Sequence, residues 1–234
     1  MINKKMIKRC KFEIVIIFAI FICLIFAIVF RFAAVKEADD FNSLNSVIIE
    51  TKFSDESIKG QAKACEKDLE KADIILTAVF TGERNSAHYS TLSQMTVTNI
   101  IKGDDSLVGK EIGVYENNAL GANNSNIYLR NFTPVNFFEK GKEYLLFLDE
   151  TENYDEMYLK STGKESKEYA LTSYFVSSFC LNETESTILV WNDNGCVIDY
   201  NEFKTSEFIV FSREQKSELY SLKEKVLQKY GCKN

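Results

Sequence analysis

The sequence feature that most constrains this chain is an uncharged apolar run near its N-terminus, Ile14 to Phe30. With flanking side chains reaching the interface, about 20 residues cross a bilayer core about 30 Å thick. Five basic residues and no acidic residue precede Phe12. Because positive charge beside a membrane span marks its cytoplasmic side, we predict a cytoplasmic basic tail over residues 1–12 and a transmembrane anchor over residues 13–35. The rest of the chain is then extracytoplasmic.

A cleaved signal peptide is the alternative interpretation of the same run. A signal core usually has about 7 to 15 residues, and this run is longer. Arg31 interrupts the region in which cleavage would fall, and no cleavage site with small residues follows cleanly. Cys23 follows Ile20, Phe21 and Ile22 rather than the small residues of a lipoprotein cleavage site. The sequence therefore favours an uncleaved anchor in the cell membrane, in contact with the lipid bilayer.

The charge of the chain beyond the basic tail is strongly acidic. The sequence has 28 basic and 34 acidic residues, so removing the five basic residues ahead of Phe12 leaves 23 against 34, a net charge of −11. An acidic body repels phosphate backbones, and we therefore expect no nucleic-acid partner. The sequence also lacks a glycine-rich phosphate-binding loop.

Beyond the anchor we predict a stalk and one domain of ordinary size. Residues 36–53 are mixed and polar and are predicted to be the stalk, and residues 54–234 are predicted to form one extracytoplasmic domain. Ser54 or Asp55 can cap a helix that runs to about Lys71, in which Lys and Glu recur at three- and four-residue spacings.

The middle of the domain has the pattern of a β structure. Aromatic and β-branched residues are abundant, and apolar runs end at turn residues. Because no long helix separates consecutive strands, the pattern favours an antiparallel meander or small barrel. The predicted strands are Asp73–Thr81, Thr91–Lys102, Glu111–Tyr115 and Phe138–Leu148, with a loop over Glu116–Asn126.

Two further strands and a hairpin are predicted after an acidic stretch. A strand is predicted over Tyr169–Leu181 and another over Thr187–Trp191. The Asn-Gly pair within Asn192–Gly195 favours turn types that match the twist of paired strands, so it predicts a hairpin into Cys196–Tyr200.

A C-terminal helix is predicted after a short apolar run at Phe208–Phe211. Ser212 is its expected N-cap, and Gln215 three residues later completes a reciprocal capping arrangement. The apolar stripe of this helix ends before Gly231 and consists of Leu219, Leu222, Val226 and Leu227.

Four segments of the domain resemble, in the same order, the N-terminal domain of the tissue inhibitors of metalloproteinases, the netrin-like form of the OB barrel. They are Cys65 with the following ADIILTAVFTGE, then TVTNIIKG, then GKEYLLFL, and last EFIVFSREQKSELYSLKEKVLQKYGC, which ends at Cys232. The resemblance implies a mainly β fold, an OB-like antiparallel barrel with flanking helices. It also implies that residues 149–205, which exceed what the family has there, are an insertion carrying the predicted hairpin.

Four cysteines lie beyond the predicted anchor, and four cysteines allow three disulfide pairings. The resemblance implies a Cys65–Cys232 bridge and leaves Cys180 and Cys196 as the second pair. The loop-entropy model gives a closure of this length about 4 to 5 kcal/mol, an upper-range figure. Free buried thiols are the alternative, and the spacing of the cysteines is too wide for a zinc site.

The chain departs from the family at the residues that inhibit proteases. In the family, the mature chain begins with Cys-x-Cys, and the amine and carbonyl of the first cysteine chelate the protease zinc. Here an anchor and a stalk precede the domain, no Cys-x-Cys occurs, and Ser206 stands where the family has a cysteine. Inhibition by the known mechanism is therefore not expected.

Candidate catalytic and metal-binding residues are few. His88 is the only histidine and lies in a polar segment, so we predict a solvated loop residue rather than the positioned base that a nucleophile needs. An acidic run lacks the order of a calcium loop and is predicted to be a solvated hinge. Its members are Asp149, Glu150, Glu152, Asp155 and Glu156. We predict no catalytic residue, no metal and no cofactor.

The sequence predicts a non-enzymatic binding module at the cell surface. OB barrels present an open face and loops to a ligand, here a protein or a glycan. The alternative is a metalloprotease inhibitor that acts without Cys-x-Cys, and the third option is an envelope scaffold or a hydrolase that needs no histidine. Asn-x-Ser/Thr triplets at Asn123, Asn131 and Asn182 predict exposed loops.

Overall fold

The computed structural model describes residues 20–27, 46–49, 51–87, 90–123, 126–151, 167–191 and 196–232. The chain divides into two compact units, residues 1–41 and 42–234. Helix α1, residues 20–27, belongs to the first unit and has exposed side chains. None of the helices in the described ranges is long and apolar enough to span a membrane. The predicted tail, and most of the predicted anchor over residues 13–35, lie outside those ranges.

The second unit is mainly β, as predicted. Its strands form one six-stranded sheet in the order β2-β3-β4-β8-β7-β9 and one four-stranded sheet in the order β10-β1-β6-β5. The strands are β1 Ser46–Ile49, β2 Ile74–Ala87, β3 Ser90–Lys102, β4 Glu111–Glu116, β5 Asn118–Asn123, β6 Asn126–Asn131, β7 Glu143–Glu150, β8 Glu168–Leu171, β9 Ser178–Cys180 and β10 Cys196–Asp199. The helices are α2 Asp55–Leu69, α3 Tyr200–Phe203 and α4 Arg213–Lys229.

Strand pairing in the six-stranded sheet returns to the strand at which it starts. β2 pairs antiparallel with β3 on one side and with β7 on the other. β3 pairs antiparallel with β4, and β8 pairs antiparallel with β7. The circuit is completed by a parallel pair, β4 with β8. Each of these five strands therefore has a neighbour on both sides.

β7 is covered on both of its faces. Successive side chains of a strand point to opposite faces. Leu146 and Leu148 pack with the apolar side chains of β2, β3 and β4, whereas Leu145 and Phe147 pack with α2 and α4. This two-sided burial explains why the strand has a continuous apolar sequence instead of alternating apolar and polar residues.

The two long helices begin beside each other and pack on the outer face of β7. Ser54 caps α2, and Ser212 caps α4 by accepting a hydrogen bond from the Gln215 N–H at 3.0 Å, so both predicted N-caps are confirmed. The Ser212 hydroxyl also donates to Asp55 Oδ1 at 2.7 Å, which joins the two helix starts. Further along, the exposed faces are joined by the ion pairs Glu66–Lys225 at 3.4 Å and Glu70–Lys229 at 2.5 Å.

Two predictions for local structure are wrong. The predicted loop over Glu116–Asn126 contains β5, which forms a hairpin with β6. The predicted hairpin between Thr187–Trp191 and Cys196–Tyr200 does not form, because Cys196–Asp199 pairs with β1 and Ile188 makes a bridge with Val210. β1 and β10 lie about 150 positions apart in sequence, and a local pattern does not encode such a pairing. β5 and β6 are adjacent in sequence, but the Asn- and Gly-rich segment of β5 lacks strand propensity.

The boundaries of the predicted segments also differ from those of the structure. Ser46–Ile49, within the predicted stalk over residues 36–53, is a strand that pairs with β10 and β6. The predicted strand over Tyr169–Leu181 is two strands, β8 and β9, that pair with different parts of β7. β8 lies in the segment assigned to an insertion, residues 149–205, yet it is one of the five strands of the circuit.

Candidate functional site

A small depression with a cavity volume of about 10 Å³, room for about one water molecule, lies where β4 ends and β5 begins. Amide, hydroxyl and apolar side chains line it together. The residues that line it include Glu116, Asn117, Asn118, Thr133, Asn136, Phe138 and Phe175.

Two exposed aromatic residues have their backbones near Asn117, one of the residues that line the depression. Asn118 pairs with Asn131 across the hairpin of β5 and β6, so the following residue, Phe132, lies opposite Asn117. The side-chain amide of Asn117 donates to the Ser173 carbonyl at 3.1 Å. The backbone of the next residue, Tyr174, therefore also lies near Asn117. Phe132 is 55% exposed and Tyr174 is 86% exposed. We call these two residues the aromatic rim.

Asn131 fixes the base of this hairpin. Its Oδ1 accepts from the Thr51 N–H at 3.0 Å, and its amide nitrogen donates to the Thr51 carbonyl at 2.8 Å. Asn131 is 1% exposed, so the expectation of an exposed loop at this Asn-x-Thr triplet is wrong. Asn182 is exposed, and its Oδ1 accepts from the Glu143 N–H. The side chain of Asn123 lies outside what the structure describes.

Asn118 is buried in the lining with one of its two polar atoms unsatisfied. Its amide nitrogen donates to the Val135 carbonyl at 2.5 Å, which fixes the orientation of the amide. Its Oδ1 is buried and has no hydrogen-bond partner among the described residues. An unsatisfied buried acceptor costs about 1 to 3 kcal/mol, so a hydrogen-bond donor at Asn118 Oδ1 would lower the free energy of the folded state.

Glu116, at the floor of the depression, is fully engaged with neighbouring groups. Its Oε1 accepts from the Ser93 hydroxyl and lies 3.2 Å from the Arg84 Nε, and its Oε2 accepts from the Phe138 N–H at 2.9 Å. Arg84 follows a register shift in β2 at Gly82, where φ is +95°, and its guanidinium lies 4.2 Å from the ring centroid of Phe80. The ion pair joins β2 to β4, and the Ser93 hydroxyl joins β3 to the same carboxylate.

A second buried ion pair joins α4 to the segment around β9. Lys223 Nζ lies 2.6 Å from Glu207 Oε2, and both side chains are almost completely buried. Glu207 also accepts from the Thr184 hydroxyl at 2.6 Å and from the Cys180 N–H at 2.8 Å. Burial, with the nearby Glu207 carboxylate, raises the pKa of the Cys180 thiol. A thiol with a raised pKa is a poor nucleophile at neutral pH.

The other cysteines are placed as follows. Cys65, Cys180 and Cys232 are free thiols, and Cys65 and Cys232 both contact the apolar cluster between the helices and β7. The Cys65 Sγ lies 3.0 Å from the Val176 carbonyl, and burial raises the pKa of this thiol. The predicted Cys65–Cys232 bridge is therefore not formed here. Cys196 is on β10, and its side chain lies outside the described part of the chain. The pairing of Cys180 with Cys196 therefore stays a prediction.

The remaining candidates from the sequence are not brought together into a site. His88, Glu152, Asp155 and Glu156 lie outside the described residues. Asp149 accepts from the Thr172 hydroxyl at 2.8 Å, and Glu150 pairs with Lys167 at 2.8 Å. Within the described ranges, no group of three acidic, histidine or cysteine side chains is arranged to hold a metal ion.

The residues of the depression and its rim were missed by sequence reasoning. Asn117 and Asn118 fall in the predicted loop, and Phe132 and Tyr174 are separated by more than 40 positions. Neither residue has a local signal that marks it as part of a site: Phe132 lies in a polar segment, and Tyr174 directly precedes the apolar Phe175 and Val176.

No protein-family model matches the chain, and no curated protein sequence matches it. The resemblance to the tissue inhibitors of metalloproteinases therefore rests on the four quoted segments alone.

Proposed function

We propose that this protein is a membrane-anchored, extracytoplasmic binding module without enzymatic activity, built on an OB-type barrel of the netrin-like kind, with a protein or a glycan as its ligand. The observation that carries the proposal is the aromatic rim, Phe132 and Tyr174, two large exposed aromatic side chains on residues whose backbones both lie near Asn117. Large aromatic side chains bury much area when a partner covers them, and aromatic residues are enriched at binding surfaces.

The pairing of the five strands supports the barrel in this proposal. A five-stranded barrel that is mostly antiparallel is the arrangement of the OB fold. The circuit β2-β3-β4-β8-β7 has this number of strands and a single parallel pair, β4 with β8. The netrin-like assignment rests in addition on the order of the four segments that resemble the family.

The chemistry of the buried groups supports binding over catalysis. Glu116 and Glu207 each accept several hydrogen bonds and each face a basic side chain. The thiols of Cys65 and Cys180 have pKa values raised by burial, which opposes their use as nucleophiles. The apolar run Ile14 to Phe30, with the basic residues before it, supports the anchor and the orientation.

The proposal is tested by crosslinking and pull-down from native membranes. The full chain and a fragment of residues 36–234 are compared as bait, and both are expected to retain the same ligand-bearing material. Retention of nothing above background by either form contradicts the proposal. Stoichiometric loss of a metalloprotease activity on addition of the fragment would instead support the inhibitor alternative.

A further inference from the structure

We infer that β1 is a switch strand: when it leaves its sheet, β10 and the β5–β6 hairpin open with it, while the five strands of the circuit stay folded. The backbone that carries Phe132 belongs to the part that opens. This role of β1 therefore rests on the proposed function, because it controls whether that same binding surface is formed.

β1 connects the two halves of the four-stranded sheet. One edge of β1 pairs antiparallel with β10, from Ser46 opposite Asp199 to Ile49 opposite Cys196. The other edge pairs parallel with β6, at Ile48 and Ile49. In the order β10-β1-β6-β5, β1 is the strand beside β10, and β5 pairs with β6. Without β1, β10 loses this neighbour and β5–β6 becomes an isolated two-stranded hairpin, which is at best marginally stable in water.

The buried side chains of the four-stranded sheet pack apart from the two cores on β7. Val47 and Ile49 of β1, Ala119 of β5 and Leu129 of β6 are each 1% exposed. None of these four belongs to either of the apolar clusters that contain the β7 side chains. Detachment of β1 therefore dismantles neither cluster. Proteins open locally in contiguous cooperative units, and the four-stranded sheet has the packing of such a unit.

The base of the β5–β6 hairpin is attached to the circuit. β4 ends at Glu116, and β5 begins two residues later at Asn118. The Thr91 hydroxyl of β3 donates to the Asn118 carbonyl at 3.0 Å. The Asn118 amide nitrogen donates to the Val135 carbonyl. These contacts do not involve β1, so the hairpin opens about a hinge at Asn118.

The segment that follows β1 holds the backbone that carries Phe132. The Thr51 N–H donates to Asn131 Oδ1 at 3.0 Å, and the Thr51 carbonyl accepts from the Asn131 amide nitrogen at 2.8 Å. Asn131 directly precedes Phe132. Because Thr51 is two residues beyond Ile49, detachment of β1 breaks both hydrogen bonds. The surface that includes Phe132 is therefore formed only while β1 is paired.

The test is hydrogen exchange of the full chain in detergent, followed by mass spectrometry. Ile49→Val is compared with Ile112→Val, a matched control at a buried isoleucine of β4. Ile49→Val is expected to raise exchange in β10, in the hairpin and in residues 132–136 by one common factor of about two to ten. Ile112→Val should raise exchange in β2, β3 and β7 but leave the four-stranded sheet unchanged, because that sheet opens while the circuit stays folded.

Equal acceleration of both sheets by Ile112→Val would show that the domain opens as one unit and would overturn the inference. Acceleration by Ile49→Val that is confined to β1, or that leaves residues 132–136 unchanged, would overturn it as well. No ligand enters this experiment, so its outcome is separate from membrane capture. If exchange follows the expected pattern and capture fails, the proposed function falls and the opening of the sheet stands; if capture succeeds and the pattern is absent, only this inference falls.

Discussion

Individual acidic residues of this chain have roles that their position in the sequence does not suggest. Glu116 and Glu207 are buried and paired with Arg84 and Lys223, respectively. Removing one partner of a buried ion pair leaves an uncompensated charge, which costs about 3 to 5 kcal/mol, whereas replacing both partners often costs little. The two pairs therefore fix how the strands and α4 assemble.

Lys223→Met is expected to lower the free energy of unfolding by about 3 to 5 kcal/mol, because Glu207 would stay buried without its cation. The double variant Lys223→Met and Glu207→Gln should recover part of this loss. Urea unfolding followed by the fluorescence of Trp191, the single tryptophan, measures both. Lys216→Met is the matched control on the same helix, since Lys216 pairs with the exposed Glu185 and should change stability little. Equal effects at Lys216 and Lys223 would contradict the buried pair.

The buried tyrosines predict loss of stability at alkaline pH. Burial raises the pKa of Tyr200 from 10.0 to about 12, and burial also raises the pKa of Tyr144. The unfolded chain releases these protons near pH 10 while the folded chain retains them, so the contribution of these tyrosines to stability is constant below pH 10 and is lost as the pH rises towards 12. For Tyr200 the loss reaches up to about 2.7 kcal/mol at 1.36 kcal/mol per pKa unit.

The measurement is the urea midpoint of the wild type and of Tyr200→Phe between pH 8 and 11.5. The variant has no proton to release at this position, so its stability should fall less steeply above pH 10. Parallel pH profiles for the two proteins would show that Tyr200 does not hold its proton in the folded state.

At the scale of the elements, β7 is the strand on which both cores depend. Leu146 and Phe147 are adjacent and face opposite cores. Substitution of a buried leucine by alanine costs about 2 to 5 kcal/mol, and of a buried phenylalanine about 3 to 5 kcal/mol. Leu146→Ala and Phe147→Ala are therefore both expected to destabilise the domain within these ranges.

The control for this prediction is Val108→Ala, because Val108 is half exposed and contributes little burial. All three variants are compared by urea unfolding. A strand with one solvent-facing side would tolerate one of the two β7 substitutions, and such tolerance would contradict the two-sided packing.

The elements also show what the sequence can and cannot predict. β2, β3, β4, α2 and α4 have strong local patterns and caps, and the sequence predicts them well. The β5–β6 hairpin was missed because Asn- and Gly-rich segments such as Asn118–Asn123 lack strand propensity, and the pairing with β1 stabilises them. β10 was assigned a local partner although its partner, β1, lies about 150 positions earlier.

The candidate site could not be predicted from the sequence, because its residues come together only through contacts between distant parts of the chain. Phe132 and Tyr174 come together through one strand register and one side-chain hydrogen bond, both of which depend on the folded chain. The burial of Glu116 depends on Arg84, which is 32 positions away and on a different strand. Residue type and spacing do not carry this information.

At the scale of the whole molecule, the proposed anchor predicts where the protein resides. If the run Ile14 to Phe30 and its flanking residues span the bilayer as proposed, the full chain is found in the membrane fraction and resists extraction with alkaline carbonate. A chain of residues 36–234 should be released. Extraction of the full chain by carbonate would contradict the anchor and leave only a peripheral attachment.

The central proposal is that the domain beyond the proposed anchor binds a ligand through a surface that includes Phe132 and Tyr174. The most direct measurement is quantitative capture from native membranes by the full chain, comparing the wild type with the double variant Phe132→Ala and Tyr174→Ala. We expect saturable retention of one ligand by the wild type and its loss in the variant, with unchanged folding. Equal retention by the two proteins would contradict the claim.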